Sequence, residues 1–125
     1  NKMGAIKVVF YKDEGGCPAL EWLGSLQDKA FIKGAVRIER LKQLGHELRR
    51  PEADYLRDQI YELRWRLGHV NYRILYFFHG QEAVVLAHGT TKEDRVPARD
   101  IDLAINRRQR FILAPIKHSH MEELI

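Results

Sequence analysis

The chain has almost no cysteine. Cys17 stands alone among 125 residues, so no disulfide can form within the chain, and a reducing cytosol suits it. With no CxxC partner, Cys17 reads as a small buried hydrophobe, the alternative being a reactive thiol. No apolar run approaches the ~18 residues that a membrane-crossing helix needs, so neither a span nor a signal peptide is expected. Internal repeats, low-complexity stretches and a second domain are also missing. Charge of one sign does not dominate: 21 Lys+Arg stand against 17 Asp+Glu, for a net +4. That balance permits a nucleic-acid or acidic-protein partner without requiring one. A metal-binding set is lacking too. His118 and His120 form a His-x-His pair without evident carboxylate or cysteine partners, and Asp94, Asp100 and Asp102 fit helix capping better than magnesium binding. No metal and no cofactor are expected.

What remains is an ordinary globular composition, 45% hydrophobic and 30% charged, in a length that suits one domain and can bury a useful core unaided. The most informative stretch is residues 59–92. Three apolar, β-branched and aromatic runs are separated by Leu67-Gly68-His69-Val70 and His79-Gly80-Gln81, the pattern of three antiparallel strands joined by tight turns. A two-residue turn at Gly68-His69 sets Leu67 against Val70 and Arg64 against Arg73. Alternation then gathers Glu62, Arg64, Arg66, Asn71 and Arg73 on one face. The opposite face carries Tyr61, Leu63, Trp65, Tyr72, Ile74, Tyr76 and Phe78, a core surface. Like charges directly opposite one another destabilise a sheet, so the Arg64/Arg73 pair suggests a surface kept for an anion.

The next turn leaves two registers open. A turn at His79-Gly80 sets Arg73 against Leu86, and one at Gly80-Gln81 sets it against His88. Both put Val84, Leu86, His88, Thr90 and Lys92 on the arginine face. A turn one residue longer would flip that parity and scatter the cluster.

Around this meander, Ile6 to Tyr11 reads as a first strand. A helix near 18–27 begins at Pro18 and carries Leu20, Trp22, Leu23 and Leu26. A second, near 28–45, has Phe31, Ala35, Ile38, Leu41 and Leu44 on one stripe and Lys33, Arg37 and Arg40 elsewhere, as a solvated or a basic binding face. Residues 46–58 read as a polar connection. Pro97 opens a last helix bearing Ile101, Ala104, Ile105, Arg108 and Ile112, with acids early and arginines late, as its dipole favours. The expected fold is α+β, in the order β-α-α-β-β-β-α, with helices packed on one face of a small, mostly antiparallel sheet. It forms a single domain over 1–125, with a core near 5–114 and a tail from 115 that is frayed or a short docking helix.

These residues resemble the RelE/HigB-type toxins of bacterial toxin–antitoxin systems, most nearly the phage-derived, HigB-like branch. The likeness spans most of residues 6–112. It rests on Phe10-Tyr11-Lys12-Asp13, Glu21-Trp22-Leu23, Ile60-Tyr61-Glu62-Leu63-Arg64, Tyr72-Arg73-Ile74-Leu75-Tyr76 and Leu86-Ala87-His88-Gly89 ahead of Lys92. The resemblance implies a RelE-like fold, a cytoplasmic toxin that cleaves mRNA on the ribosome, and neutralisation by a cognate antitoxin, expected to be of the helix-turn-helix type. No membrane is involved. The chain departs from the branch after Gly89, where Thr90-Thr91-Lys92-Glu93 replaces an aromatic residue and two adjacent lysines.

Metal-free RNA cleavage needs a base for the 2′-hydroxyl, an acid for the leaving 5′-oxygen and cations for the phosphorane-like transition state. Arg64 and Arg73 suit the cationic role because a guanidinium can grip two phosphate oxygens. His88 is the acid–base candidate. Lys92 would add a point charge. The expected catalytic set is Arg64, Arg73, His88 and Lys92, with Arg64, Arg66, Arg73 and Lys92 holding RNA phosphate. Bland alternatives stand beside each: an ion pair for Glu62 with the arginines, a satisfied histidine for His88, and a solvated strand end for Lys92. The rival functions are a non-nucleolytic binding toxin, like the gyrase-poisoning relatives, and an inactive phage-derived copy that only binds an antitoxin.

Overall fold

The computed structural model describes residues 6–91 and 94–124. Its elements, in chain order, are β1 (Lys7–Tyr11), α1 (Pro18–Gly24), α2 (Asp28–Leu44), β2 (Ala53–Arg57), β3 (Ile60–Leu67), β4 (Val70–His79), β5 (Ala83–Thr91), α3 (Ala98–Leu113) and β6 (Ser119–His120). The strands form one sheet in the order β2-β3-β4-β5-β1-β6. Only the β1–β5 pairing is parallel; the other pairings are antiparallel. The α+β class, the mostly antiparallel sheet and the order of the expected elements are all found, in an architecture consistent with a RelE-like fold.

Two strands lie where none was expected. The connection before β3 contains β2, which turns back at Asp58-Gln59, both at positive φ (51° and 71°). Two successive left-handed residues make the kind of turn whose twist matches a hairpin, but Asp-Gln is a poor sequence signal for it. The tail is neither frayed nor helical. It returns to the edge of β1 as β6, pairing Phe10 with His120 and Tyr11 with Ser119. The His118 carbonyl accepts from the Lys12 amide at 3.0 Å, and His118 Nδ1 donates to the Lys12 carbonyl at 2.8 Å.

The β3–β4 hairpin has the expected register: Leu67 faces Val70 and Arg64 faces Arg73. The β4–β5 hairpin does not. His79 pairs with Ala83, so the loop is the three residues Gly80-Gln81-Glu82. That longer loop flips the parity, and Val84 and Leu86 point into the core beside Tyr76 and Phe78, off the arginine face. A bulge then flips it back. Leu75 pairs with His88 while Tyr76 pairs with Leu86, which leaves Ala87 as the extra residue. Beyond it Arg73 faces Thr90, so His88 and Thr90 do rejoin the arginine face.

The helices do not share one face, contrary to the sequence expectation. α1 and α2 cover the surface made by Leu63, Trp65, Tyr72, Ile74, Tyr76 and Leu86. α3 lies on the other surface, where Ile101, Ala104 and Phe111 meet Leu75, Phe77, Val85 and Ala87. The physical reason is visible in the strands. The run Ile74 to Phe78 is apolar on both parities, which marks a segment buried on both sides. The arginine face is therefore polar only at one end and is roofed by α3 at the other.

Close approach fixes α1 and α2. The Trp65 indole donates to the Ala30 carbonyl at 3.0 Å and lies under Gly34, where an added Cβ would come within 2.6 Å of the ring. Cys17 is partly buried against this core; burial, and then the Glu21 carboxylate, push its thiol pKa up, the environment of an inert cysteine. Gly89 lies directly beneath Trp22, and a Cβ there would fall inside the indole. Gly89→Ala is therefore expected to destabilise the fold by about 1–3 kcal/mol, read from the urea unfolding midpoint. An unchanged midpoint would mean that α1 can lift from the sheet at no cost.

Candidate functional site

The polar end of the arginine face is organised around Glu62. Its side chain is buried, and its two oxygens are shared: Oε1 is 3.1 Å from Arg73 Nε, and Oε2 is 3.3 Å from Arg64 Nη1. The sheet dictates this arrangement. Glu62 and Arg64 sit two apart on β3, and Arg73 on β4 is opposite Arg64, so one carboxylate reaches both guanidiniums. The like-charge pair that suggested an external anion already has an internal one. Burial nevertheless dominates and pushes the Glu62 pKa up, against the pull of Arg64 and then Arg73.

The two arginines are not equivalent. The Arg73 side chain is only 11% exposed, and its Nη1 donates to the Asp94 carbonyl. Arg64 is 32% exposed; its Nε donates to the Pro51 carbonyl at 3.2 Å. Behind it, Arg37 of α2 donates to the Arg64 carbonyl at 2.6 Å. Arg64 is thus braced from two sides yet still offers guanidinium edge to solvent. Arg66 lies near the hairpin tip, its Nε on the Gly68 carbonyl at 3.0 Å, outside this network of ion pairs. Lys92 lies outside the described residues. Arg37 and Arg40 of α2 are not purely solvated; both reach Glu52, Arg40 at 2.8 Å and Arg37 at 3.8 Å.

His88 returns to the arginine face through the bulge, diagonal to Arg73 across β4–β5. There it meets α3. Its Nε2 is 3.2 Å from Asp100 Oδ1, and its Nδ1 is 3.4 Å from Arg107 Nη1. The same Arg107 nitrogen donates to the Ala87 carbonyl at 2.7 Å, so the bulged residue anchors α3. Arg107 also lies over the Tyr11 ring, 5.8 Å from its centre. Burial lowers its pKa, with Asp13 opposing, but a guanidinium stays protonated. Sequence reasoning missed Asp100 as a His88 partner, having placed it at a helix cap, and missed Arg107 altogether. The signal was available only in three dimensions, because it needs α3 on this face.

The two histidines of the His-x-His pair each contact another side chain of the protein. His118 stacks on Tyr11, with ring centres 5.1 Å apart, and His120 pairs with Glu122 at 3.0 Å. Among the described residues, no helix is long and apolar enough to cross a membrane.

The class defined so far is a small α+β domain with a RelE-like sheet and an arginine–carboxylate cluster at one end. A family model described as "Phage derived protein Gp49-like (DUF891)" matches residues 21–109. The chain therefore belongs to the phage-derived Gp49-like family. No curated protein matches it.

The shift in Glu62 has a sign that can be checked. Its folded pKa is raised, so its favourable contribution is complete below the unfolded carboxylate value and falls as pH rises through the folded one. Between about pH 4 and pH 7, the urea midpoint of Glu62→Gln should therefore gain on that of the wild type. A gap between the two that is independent of pH, or that closes the other way, would mean the arginine pairing outweighs burial.

Proposed function

We propose that this protein is the toxin of a toxin–antitoxin pair and an endoribonuclease that cuts mRNA without a metal, on the ribosome. The observation that carries the reading is Arg64, held about one-third exposed beside Arg73 by the shared Glu62 carboxylate, with His88 on the same sheet face. Membership of a phage-derived family and the RelE-like architecture support it; fold alone does not decide activity. Arg64 grips the scissile phosphate, while Arg73, mostly buried, holds Glu62 and adds positive potential. Arg66 and Lys92 extend the cationic track along the RNA backbone. The 2′-oxygen bonds to phosphorus, the P–O5′ bond breaks, and the products end in a 2′,3′-cyclic phosphate and a 5′-hydroxyl. His88 is the proton-transfer group.

The natural counterpart is an antitoxin of the helix-turn-helix type, acting in the cytoplasm. Two surfaces suit it. One is the arginine face itself, where an acidic segment would cover Arg64. The other is a groove of about 770 Å³ between α2, β1 and residues 121–124, beside the exposed Ile32 and Val36. A helix or strand with an apolar face fits there.

A binding toxin that performs no RNA chemistry is the second reading. The contacts of both His88 ring nitrogens with α3 favour it, since they match a satisfied structural histidine. The assay that separates the two is incubation of purified protein, in chelator, with single-stranded RNA and with translating ribosomes. Cleavage is expected in at least one. Arg64→Ala should lower the rate by roughly 10²–10³-fold, the usual cost of one transition-state charge contact, and Arg73→Ala should act mainly through folding stability. Intact RNA in both, together with growth arrest on induction, would move the assignment to a binding toxin. Absence of arrest would point to an inactive copy.

A further inference from the structure

We infer that Asp100 is a positioning residue for His88, fixing the imidazole so that Nδ1 is its basic nitrogen; this rests on the nuclease reading above. The two described contacts of the ring match one tautomer. A guanidinium has donors and no acceptor, so Arg107 Nη1, 3.4 Å away, meets the Nδ1 lone pair. Nε2 then carries the proton, and it donates to Asp100 Oδ1 at 3.2 Å. A carboxylate on one ring nitrogen and a proton-accepting nitrogen on the other is the arrangement by which an acid orients a catalytic histidine and stabilises its imidazolium.

The carboxylate is itself held in place. The Asp100 side chain is 13% exposed. Its backbone amide donates to the Pro97 carbonyl at 3.1 Å, in the first turn of α3, where the helix dipole favours a negative charge. Its second oxygen, Oδ2, is buried without a hydrogen-bond partner. An acid spending an unpaired buried oxygen is poor design for stability alone. Such a feature is expected where one oxygen is committed to a neighbour that changes charge. The Arg107 guanidinium meets the ring from α3, while Arg73 is diagonal to His88 in the sheet, with Glu62 beyond. A ring free to exchange tautomers would present its basic nitrogen at Nδ1 only part of the time.

In the reaction, Nδ1 accepts the 2′-hydroxyl proton as O2′ bonds to phosphorus. The P–O5′ bond breaks, and O5′ leaves with a proton from solvent. Asp100 keeps the Nε2 proton throughout and balances the imidazolium. Arg107 must swing a short way from Nδ1 to admit the hydroxyl; the shorter bond of the same nitrogen to the Ala87 carbonyl at 2.7 Å limits how far it moves.

The test is single-turnover cleavage of a defined single-stranded RNA in chelator, or of ribosome-bound mRNA if free RNA is not cut, by the full chain. Asp100→Asn is expected to lower the maximal rate by up to about 10⁴-fold, as loss of an orienting carboxylate does elsewhere, with the half-saturating RNA concentration unchanged. Asp100→Glu is expected to recover much of that loss. Nitrogen NMR of the ring should show the Nε2-protonated tautomer in the wild type and a mixture in Asp100→Asn, while both proteins unfold at similar denaturant concentrations. A wild type that never cleaves overturns the nuclease reading and this role with it. A cleaving wild type whose Asp100→Asn variant keeps its maximal rate, or loses rate and affinity in step, overturns the positioning role alone.

Discussion

One additional residue in β5, Ala87, decides which side chains share a face. The three-residue loop after β4 places Val84 and Leu86 in the α1–α2 core, and the bulge returns the next stretch to opposite parity. Without it, His88 would point at Trp22 and Gly89 at α3. The indole would then have no glycine to lie on, and the carbonyl that receives Arg107 would face elsewhere. Bulges of this kind re-aim a side chain at the cost of a local break in the ladder. Here the break falls where the sheet stops being a core on both sides and begins to be a polar surface.

Among the described residues, cations outnumber acids on the polar surface. Four arginines, Arg64, Arg66, Arg73 and Arg107, stand against two carboxylates, Glu62 and Asp100. Glu62 is buried and is shared by two arginines, whereas Asp100 is part-buried and meets His88, so removing Glu62 takes one acid from two guanidiniums at once. Breaking such a pair costs more than the pair contributes by forming. Among the described residues of this cluster, Glu62 fixes the positions of two guanidiniums, while Arg64 and the hairpin's Arg66 keep charge turned to solvent.

Much of the fold was legible because it rests on short-range chemistry. Gly68-His69 set the β3–β4 register, and Pro18, Gly45 and Pro97 marked helix ends. Arg64, Arg73 and His88 were correctly gathered on one face, but for His88 the reasoning was wrong in its middle step. Two errors of parity cancelled, and only the longer turn and the bulge together reveal it. The face chosen by α3 was missed because helical amphipathicity says which stripe is buried and not against what. The apolar run from Ile74 to Phe78 held that information. β2 and β6 were missed because each is a short edge strand of mixed polarity, stabilised by long-range pairing. Asp100 and Arg107 depended on α3's placement and could not be read before it.

The parallel pairing of β1 with β5 has a consequence for synthesis. β1 is made before both of its partners, β5 and β6, which lie far later in the sequence. Until about 80 further residues have emerged, it has no neighbour to bond, and such long-range closure is slow. The arginine cluster can form early, within the local β3–β4 hairpin, but the ring of His88 gains its acid only when α3 has been made. A chain interrupted before that point carries the cations without the clamp on the imidazole, so the two parts of the cluster form in sequence, the clamp second.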